Sequence, residues 1–341
     1  MTVAVPAELE ALRDDWSRLA EASGNLFLTW EYAAAWWRHF GAGREPVIGT
    51  VRRDGELVAL VPLHRGGGAV RTLRFIAAGV ADQVGVVSAR SELPAAAAEL
   101  QRLRSEVPHD LFLAERLGGA EKWPALLDAE PRVHEASPVL KLETTDWGEF
   151  LAARSRNFRS QAGKYERRLV RDHDLSYRLC SDAGDVDDYV DLVFDLHVRR
   201  WGKGTTEFQS EPHRSFHREF AHAAFERGWL RIWIADLDGR PSAAWYGFRF
   251  GGTDWSYQSG RDPAYEAGSI GWVLTLHAIR ESVQDGMRAY RFLLGQESYK
   301  TRFTIDDHGL DSFVIPRTAR GHAGHFATRA RGRLARWAGR G

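Results

Sequence analysis

Two Asp-Gly pairs, Asp54-Gly55 and Asp238-Gly239, stand in the middle of two long apolar runs, "PVIGTVRRDGELVALVPLHR" and "LRIWIADLDGRPSAAWYGFRF". Asp-Gly accepts positive φ at both central turn positions, so each pair predicts a two-residue hairpin. A helical pattern precedes each hairpin. "TWEYAAAWWRHF" (29–40) has Thr29 as its expected N-cap and Gly41 as its stop, and "FHREFAHAAFERGW" (216–229) precedes the second. The matched order fits an internal duplication and equally fits two unrelated hairpins. With 341 residues the chain exceeds a single core and favours two domains.

The remaining pattern is mixed α/β. Leu9, Leu12, Trp16 and Leu19 share one face of a helix predicted over 8–22. "TLRFIAAG" and "DLFLAERL" read as strands around an Ala-rich helix at 94–106, and the first half ends near "SPVLKLE". In the second half a further hairpin turns at Gly251-Gly252. Gly268 and Gly271 then open a helix over 270–283, followed by the strands "AYRFLLG" and "DSFVIP".

Composition excludes several classes. A single cysteine, Cys180, rules out an internal disulfide and a Cys-based zinc site, and reads as a buried structural thiol. The N-terminus carries acids where a signal peptide needs a basic region, and no long apolar run predicts a membrane span, so a cytoplasmic protein is expected. Formal charge is zero, yet residues 317–341 hold seven arginines and no acid, a basic tail suited to phosphates or to nothing more than a frayed end.

Three stretches carry candidate chemistry. Helix N-termini leave N–H groups unsatisfied, and "GSIG" (268–271) adds glycines for close approach and the Ser269 hydroxyl, which suits a diphosphate as well as a plain helix start. "RSRNFRSQAGKYERRL" (154–169) crowds Arg156, Arg159, Lys164, Arg167 and Arg168 on one helix, either a solvated face or a phosphate clamp. "LHVRRWG" ends another helix with His197, Arg200 and Trp201. Last, "YRFLLGQESYKTRF" (290–303) breaks a strand at Gly295 and sets Glu297, Tyr299 and Lys300 close together, as a polar turn or as an acid–base set.

Taken with "NLFLTWEYAAAWWRHFG" and "DGELVALVPLHR", these stretches resemble the GNAT-type acyltransferases of the cellulose-biosynthesis-associated group, similar in turn to Fem-type aminoacyl transferases. The resemblance runs from about Glu8 to Phe303. It implies an α/β (α+β) chain of two tandem GNAT-like domains, each a mostly antiparallel sheet flanked by helices. Residues 1–136 would form the first, residues 137–316 the second with the acyl-donor site, and residues 317–341 the basic tail. It further implies N-acyl transfer from acetyl-CoA or another acyl-CoA, without a metal, to an amine of a small or sugar-linked acceptor. Gly268, Ser269, Ile270, Gly271, Arg159 and Lys164 are then expected at the donor. Glu297, Tyr299, Lys300 and His197 are expected at the chemistry, and Arg200, Trp201, Tyr257 and Asp82 at the acceptor. Two alternatives stay open: a Fem-like transferase using aminoacyl-tRNA, and a non-catalytic binding module.

Overall fold

The computed structural model describes residues 2–202, 208, 210–295, 299–303 and 306–325. Backbone contacts divide it into two units, Met1–Glu135 with His308–Gly341, and Ala136–Asp307. In chain order the first unit runs α1 (Ala7–Glu10), α2 (Arg13–Ser23), α3 (Trp30–Phe40), β1 (Arg44–Arg53), β2 (Glu56–Gly66), β3 (Thr72–Phe75), β4 (Val87–Ser88), α4 (Leu93–Glu106), β5 (Leu111–Gly118), α5 (Trp123–Leu127) and β6 (Val133–Glu135). The second unit begins with β7 (Val139–Lys141), α6 (Trp147–Ala152), α7 (Arg156–Asp172), β8 (Leu175–Leu179), α8 (Val186–Trp201) and α9 (Glu211–Glu226). It continues through β9 (Leu230–Leu237), β10 (Arg240–Phe250), β11 (Thr253–Arg261), α10 (Ile270–Gln284) and β12 (Ala289–Arg291), and β13 (Leu310–Pro316) follows.

Both expected hairpins form. Asp54 and Gly55 have φ of 51° and 87°, and Asp238 and Gly239 have 53° and 72°, the positive pair that a two-residue turn between twisted strands requires. Thr29 caps α3 by accepting from the Tyr32 N–H, and Gly41 follows the helix as its C-cap. The helix expected over 8–22 is instead two, broken at Leu12 where ψ turns to 1°. α9 starts earlier than its apolar pattern indicates, because Ser210 stands at its N-cap and Pro212 in its first turn.

The first sheet has the order β1-β2-β3-β5-β13-β6, with β4 also on β2, and the second β7-β12-β11-β10-β9-β8. Each is antiparallel except for one parallel pair, β3 with β5 and β11 with β12. β13 differs from expectation. "DSFVIP", assigned to the second half by its place in the chain, pairs with β5 and β6 in the first sheet. The segment after it is fastened there too. Asp110 accepts from Arg71 and from the Thr318 hydroxyl, and the Arg317 guanidinium donates to the carbonyls of Val107 and Ser105. The basic tail thus starts as a docked segment of the first unit; its residues from 326 onward lie outside those described.

In the second unit, α7 and α10 pack over a core that includes Trp245, Ile270, Leu274, Ile279, Tyr290 and Phe303. α8 comes down on β11 so closely that a Cβ on Gly260 would lie 2.3 Å from the His197 amide nitrogen. Only glycine permits that approach. At the start of β11, Arg249 pairs bidentately with buried Asp254, and Ser282 of α10 donates to the same carboxylate.

Candidate active site

β11 and β12 pair only over Thr253–Trp255 and Ala289–Arg291. Beyond Arg291 the chain leaves the sheet, because Leu293 takes φ of 56° and Gly295 φ of 110°. β11 itself continues to Arg261, so the two strands part. A cleft of about 350 Å³ is lined by Ser259 and Arg261 of β11, by Tyr299 and Arg302 after β12, and by Arg200 at the end of α8. Ser269, Gly271, Trp272 and Thr275 at the start of α10 complete the lining.

α10 begins in a way that leaves its donors open. Its N-cap, Ser269, sits in the left-handed region at φ 57° and makes no side-chain cap. Serine pays a strain for that backbone which glycine would not. The first N–H groups of a helix have no intrahelical partner, so this uncapped end presents partial positive charge at the cleft. Three guanidiniums, of Arg200, Arg261 and Arg302, surround it, and no carboxylate lines it among the described residues. Arg200 donates to the Ser259 hydroxyl at 2.9 Å and lies over the Trp201 ring at 4.3 Å. Arg302 lies over Trp272 and donates to the Gln161 side chain at 3.0 Å. A larger hollow of about 510 Å³ also borders α8, but two of its lining groups, Arg199 and Asp262, already neutralise one another at 3.2 Å. The smaller cleft is the candidate anion site.

Of the sequence-derived site residues, Arg200, Ser269, Gly271 and Tyr299 line this cleft. Ile270 starts α10, but its side chain is fully buried in the core, and Gly268 backs onto Leu169 of α7. Lys300 points inward. It is 2 % exposed, and its ammonium donates to the carbonyls of Phe292 (3.1 Å) and Leu294 (2.7 Å), with Gly295 O at 3.5 Å. That grip holds the turn by which the chain leaves β12, so the lysine shapes the cleft from behind.

His197 is buried one helical turn before Arg200. Burial is the main reason its pKa is pushed down to about 4; a hydrogen bond to the Ser259 backbone works against the shift and the Arg200 charge with it. Its Nδ1 has no hydrogen-bond partner. The imidazole is thus a neutral group behind Ser259, at the wall of the cleft. Tyr257 is buried with Phe208, His217 and Tyr246 in an aromatic cluster, and Trp201 is nearly half exposed. Arg159 turns back to the carbonyls of Ala152 and Arg154, Lys164 stands exposed on α7, and neither lines the cleft. Asp82 belongs to the first unit, 3.7 Å from the Arg116 guanidinium. Glu297 lies outside the described residues.

Sequence reasoning missed Ser259, Arg261, Trp272, Thr275 and Arg302. Ser259 and Arg261 alternate on one strand, and Gly271 with Thr275 is an i, i+4 pair on α10, so a face-by-face reading of those elements carried a signal.

Residues 156–301 match the family model of the acetyltransferase (GNAT) domain, and the chain is on that basis an acyltransferase. The whole chain shares its two-domain fold with FemX, at TM-score 0.63 and 10 % identity, covering 92 % of this chain and 97 % of that one. L-PGS from Bacillus licheniformis aligns at TM-score 0.57 and 12 % identity over 92 % and 93 % of the two chains. A conserved protein of unknown function from Bacteroides thetaiotaomicron aligns at 0.56 and 15 % over 93 % and 100 %. At such identities the likeness is one of fold. No curated protein matches the chain by sequence. No described helix is long and apolar enough to cross a membrane.

Proposed function

We propose that this chain is an N-acyltransferase that takes an acyl group from acyl-CoA, acetyl-CoA first among the donors, and passes it to the amine of a small or sugar-linked acceptor. The observation that carries the reading is the uncapped start of α10 opening into a cleft with three arginines. A diphosphate fits such a site: the α10 N–H groups and the Ser269 hydroxyl donate to it, and Arg261 and Arg302 balance its charge. The gap where β11 and β12 part takes the rest of the donor.

For transfer, the attacking amine loses a proton, its nitrogen bonds the acyl carbon, the C–S bond breaks, and the departing sulfur gains a proton. Glu297 is assigned the first proton and the Tyr299 hydroxyl the second. Lys300 and His197 act at one remove, the former by fixing the turn that carries Tyr299, the latter by holding Ser259. Membership of the cellulose-biosynthesis-associated group and a cytoplasmic location are proposed as part of the same reading. The fold shared with FemX keeps aminoacyl-tRNA as the second donor to test.

Thermal unfolding with and without about 1 mM acetyl-CoA tests it. A dissociation constant near 10 µM adds about 2.7 kcal/mol. In a unit of this size that raises the midpoint by roughly 5–10 °C. Gly271→Leu, whose Cβ meets Arg261 at 3.3 Å, should reduce the shift. No shift with several acyl-CoAs overturns the donor assignment.

A further inference from the structure

α7 carries six basic residues, Arg156, Arg159, Lys164, Arg167, Arg168 and Arg171, over 17 positions. At 100° per residue they fall on one side of the helix, while Phe158, Ala162 and Leu169 are buried on the other. All six are exposed. Little neutralises them. Asp172 serves both Arg168 and Arg171, and Glu166 turns away to the Tyr177 hydroxyl at 3.3 Å and the Arg280 guanidinium at 3.6 Å. Arg159 meets only carbonyls in the bonds given above, and Arg156, Lys164 and Arg167 make no ion pair among the described residues. The result is a cationic face about 22 Å long that covers about half of the helix circumference.

We propose that this outer face of α7 docks the protein on an anionic lipid bilayer. A convex cationic face meets a plane along the length of its helix, with the long side chains of its flanks reaching down to the surface, and each cation brought to such a surface strengthens partition about fivefold. The one large apolar side chain exposed on α7 is Val170, 60 % exposed on the flank of that face, which a lipid interface accepts. A nucleic acid shares the charge complementarity, but proteins that bind RNA strands add rings on which bases stack. No ring is exposed on this face; the other exposed large apolar residues, Val133 and Trp201, are not on α7. The docking helix also backs the cleft: Phe158 packs on Trp272 at 5.8 Å, and Gln161 accepts from Arg302. Docking therefore places the cleft about one helix diameter from a lipid surface.

The test is co-sedimentation of the full chain with vesicles of phosphatidylcholine containing about 30 % phosphatidylglycerol, against pure phosphatidylcholine, at about 0.1 M salt. Binding to the anionic vesicles alone, falling as salt rises, is expected. The triple variant R156Q/R167Q/R171Q, altered only at exposed positions, should bind about 100-fold more weakly at an unchanged unfolding midpoint. Should the triple variant not fold, R156Q and R167Q singly should each cost about fivefold. Absence of binding to anionic vesicles, or full-strength binding by the variants, overturns the proposal. So does a bulk transfer-RNA competitor that strips the protein from vesicles at a phosphate concentration below that of the lipid, since the preferred partner is then a phosphodiester polymer.

Discussion

Replacing Lys300 by methionine isolates what its ammonium does. Methionine keeps the length and the apolar stem, so packing around the turn is preserved while every donor is removed. The ammonium serves Phe292 O at 3.1 Å and Leu294 O at 2.7 Å, with Gly295 O at the edge of bonding distance. Two good bonds from a charged donor are worth about 1.5–3 kcal/mol each, and relief of the buried ammonium's desolvation returns part of that sum. The net loss is about 3 kcal/mol. The backbone being held is itself unfavourable, with Leu293 at φ 56°, so the turn has reason to relax once released. In a unit of this size the midpoint should fall by roughly 6–12 °C, read by calorimetry as the transition of the second unit. Donor binding should weaken with it, because Tyr299 and Arg302 follow the same turn. An unchanged midpoint in K300M would refute the structural role. Lost acyl transfer at an unchanged midpoint would instead put the ammonium at the reacting atoms.

Acidification should destabilise the second unit. His197, His217 and His277 are held neutral chiefly by burial, with pKa values pushed down to about 4, 3 and 4. A histidine whose folded pKa lies below its unfolded value loses stability as pH falls below about 6.5, so each should remove about 2 kcal/mol by pH 5. Urea unfolding at pH 7 and pH 5 measures this, and equal stability at both would contradict the burial. Gly260→Ala forces a Cβ against the α8 backbone and should cost about 3 kcal/mol or more, with donor binding lost as α8 lifts from β11. A wild-type midpoint in that variant would mean that α8 does not sit as described. Asp254→Asn breaks a buried pair with Arg249 and should cost about 3–5 kcal/mol in unfolding experiments. A loss below about 1 kcal/mol would show that Ser282 and Asp285 suffice to hold the network.

Local turn and cap chemistry was legible because it is written in adjacent residues. Asp54-Gly55, Asp238-Gly239 and the Thr29 cap each specify their own geometry without reference to the rest of the chain. The placement of β13 was not, since its alternation identifies a strand but is silent on which sheet receives it. The site was half legible. Gly271 and Ser269 announce an open helix start, and Tyr299 follows the break at Gly295. Lys300 misled because a lysine beside a tyrosine reads as surface chemistry, and only the carbonyls around its ammonium show where it points. Arg261 and Arg302, forty-one positions apart, meet at the cleft through the divergence of β11 and β12, which no single stretch encodes.

The two sheets follow one plan, and their difference locates the chemistry. In each, an antiparallel run passes through a helix into one parallel pair, β3–α4–β5 and β11–α10–β12, and an antiparallel strand from elsewhere in the chain pairs with its second strand, β13 on β5 and β7 on β12. The helix starts differ. α10 opens from Ser269 toward three guanidiniums. α4 follows Glu92, whose carboxylate takes both terminal nitrogens of Arg53 at 2.9 Å, and carries Pro94 in its first turn, which removes an N–H donor. The chain entering α4 is apolar and buried at Val80, Ala81, Val84, Val86 and Val87. At α4 the acid and its arginine offset one another and the proline supplies no N–H, so that helix start offers an anion less than α10 does. The first unit keeps the sheet plan, but its corresponding helix starts beside an ion-paired carboxylate and a proline rather than facing three guanidiniums, which makes the second unit's cleft the place where an acyl donor is to be sought.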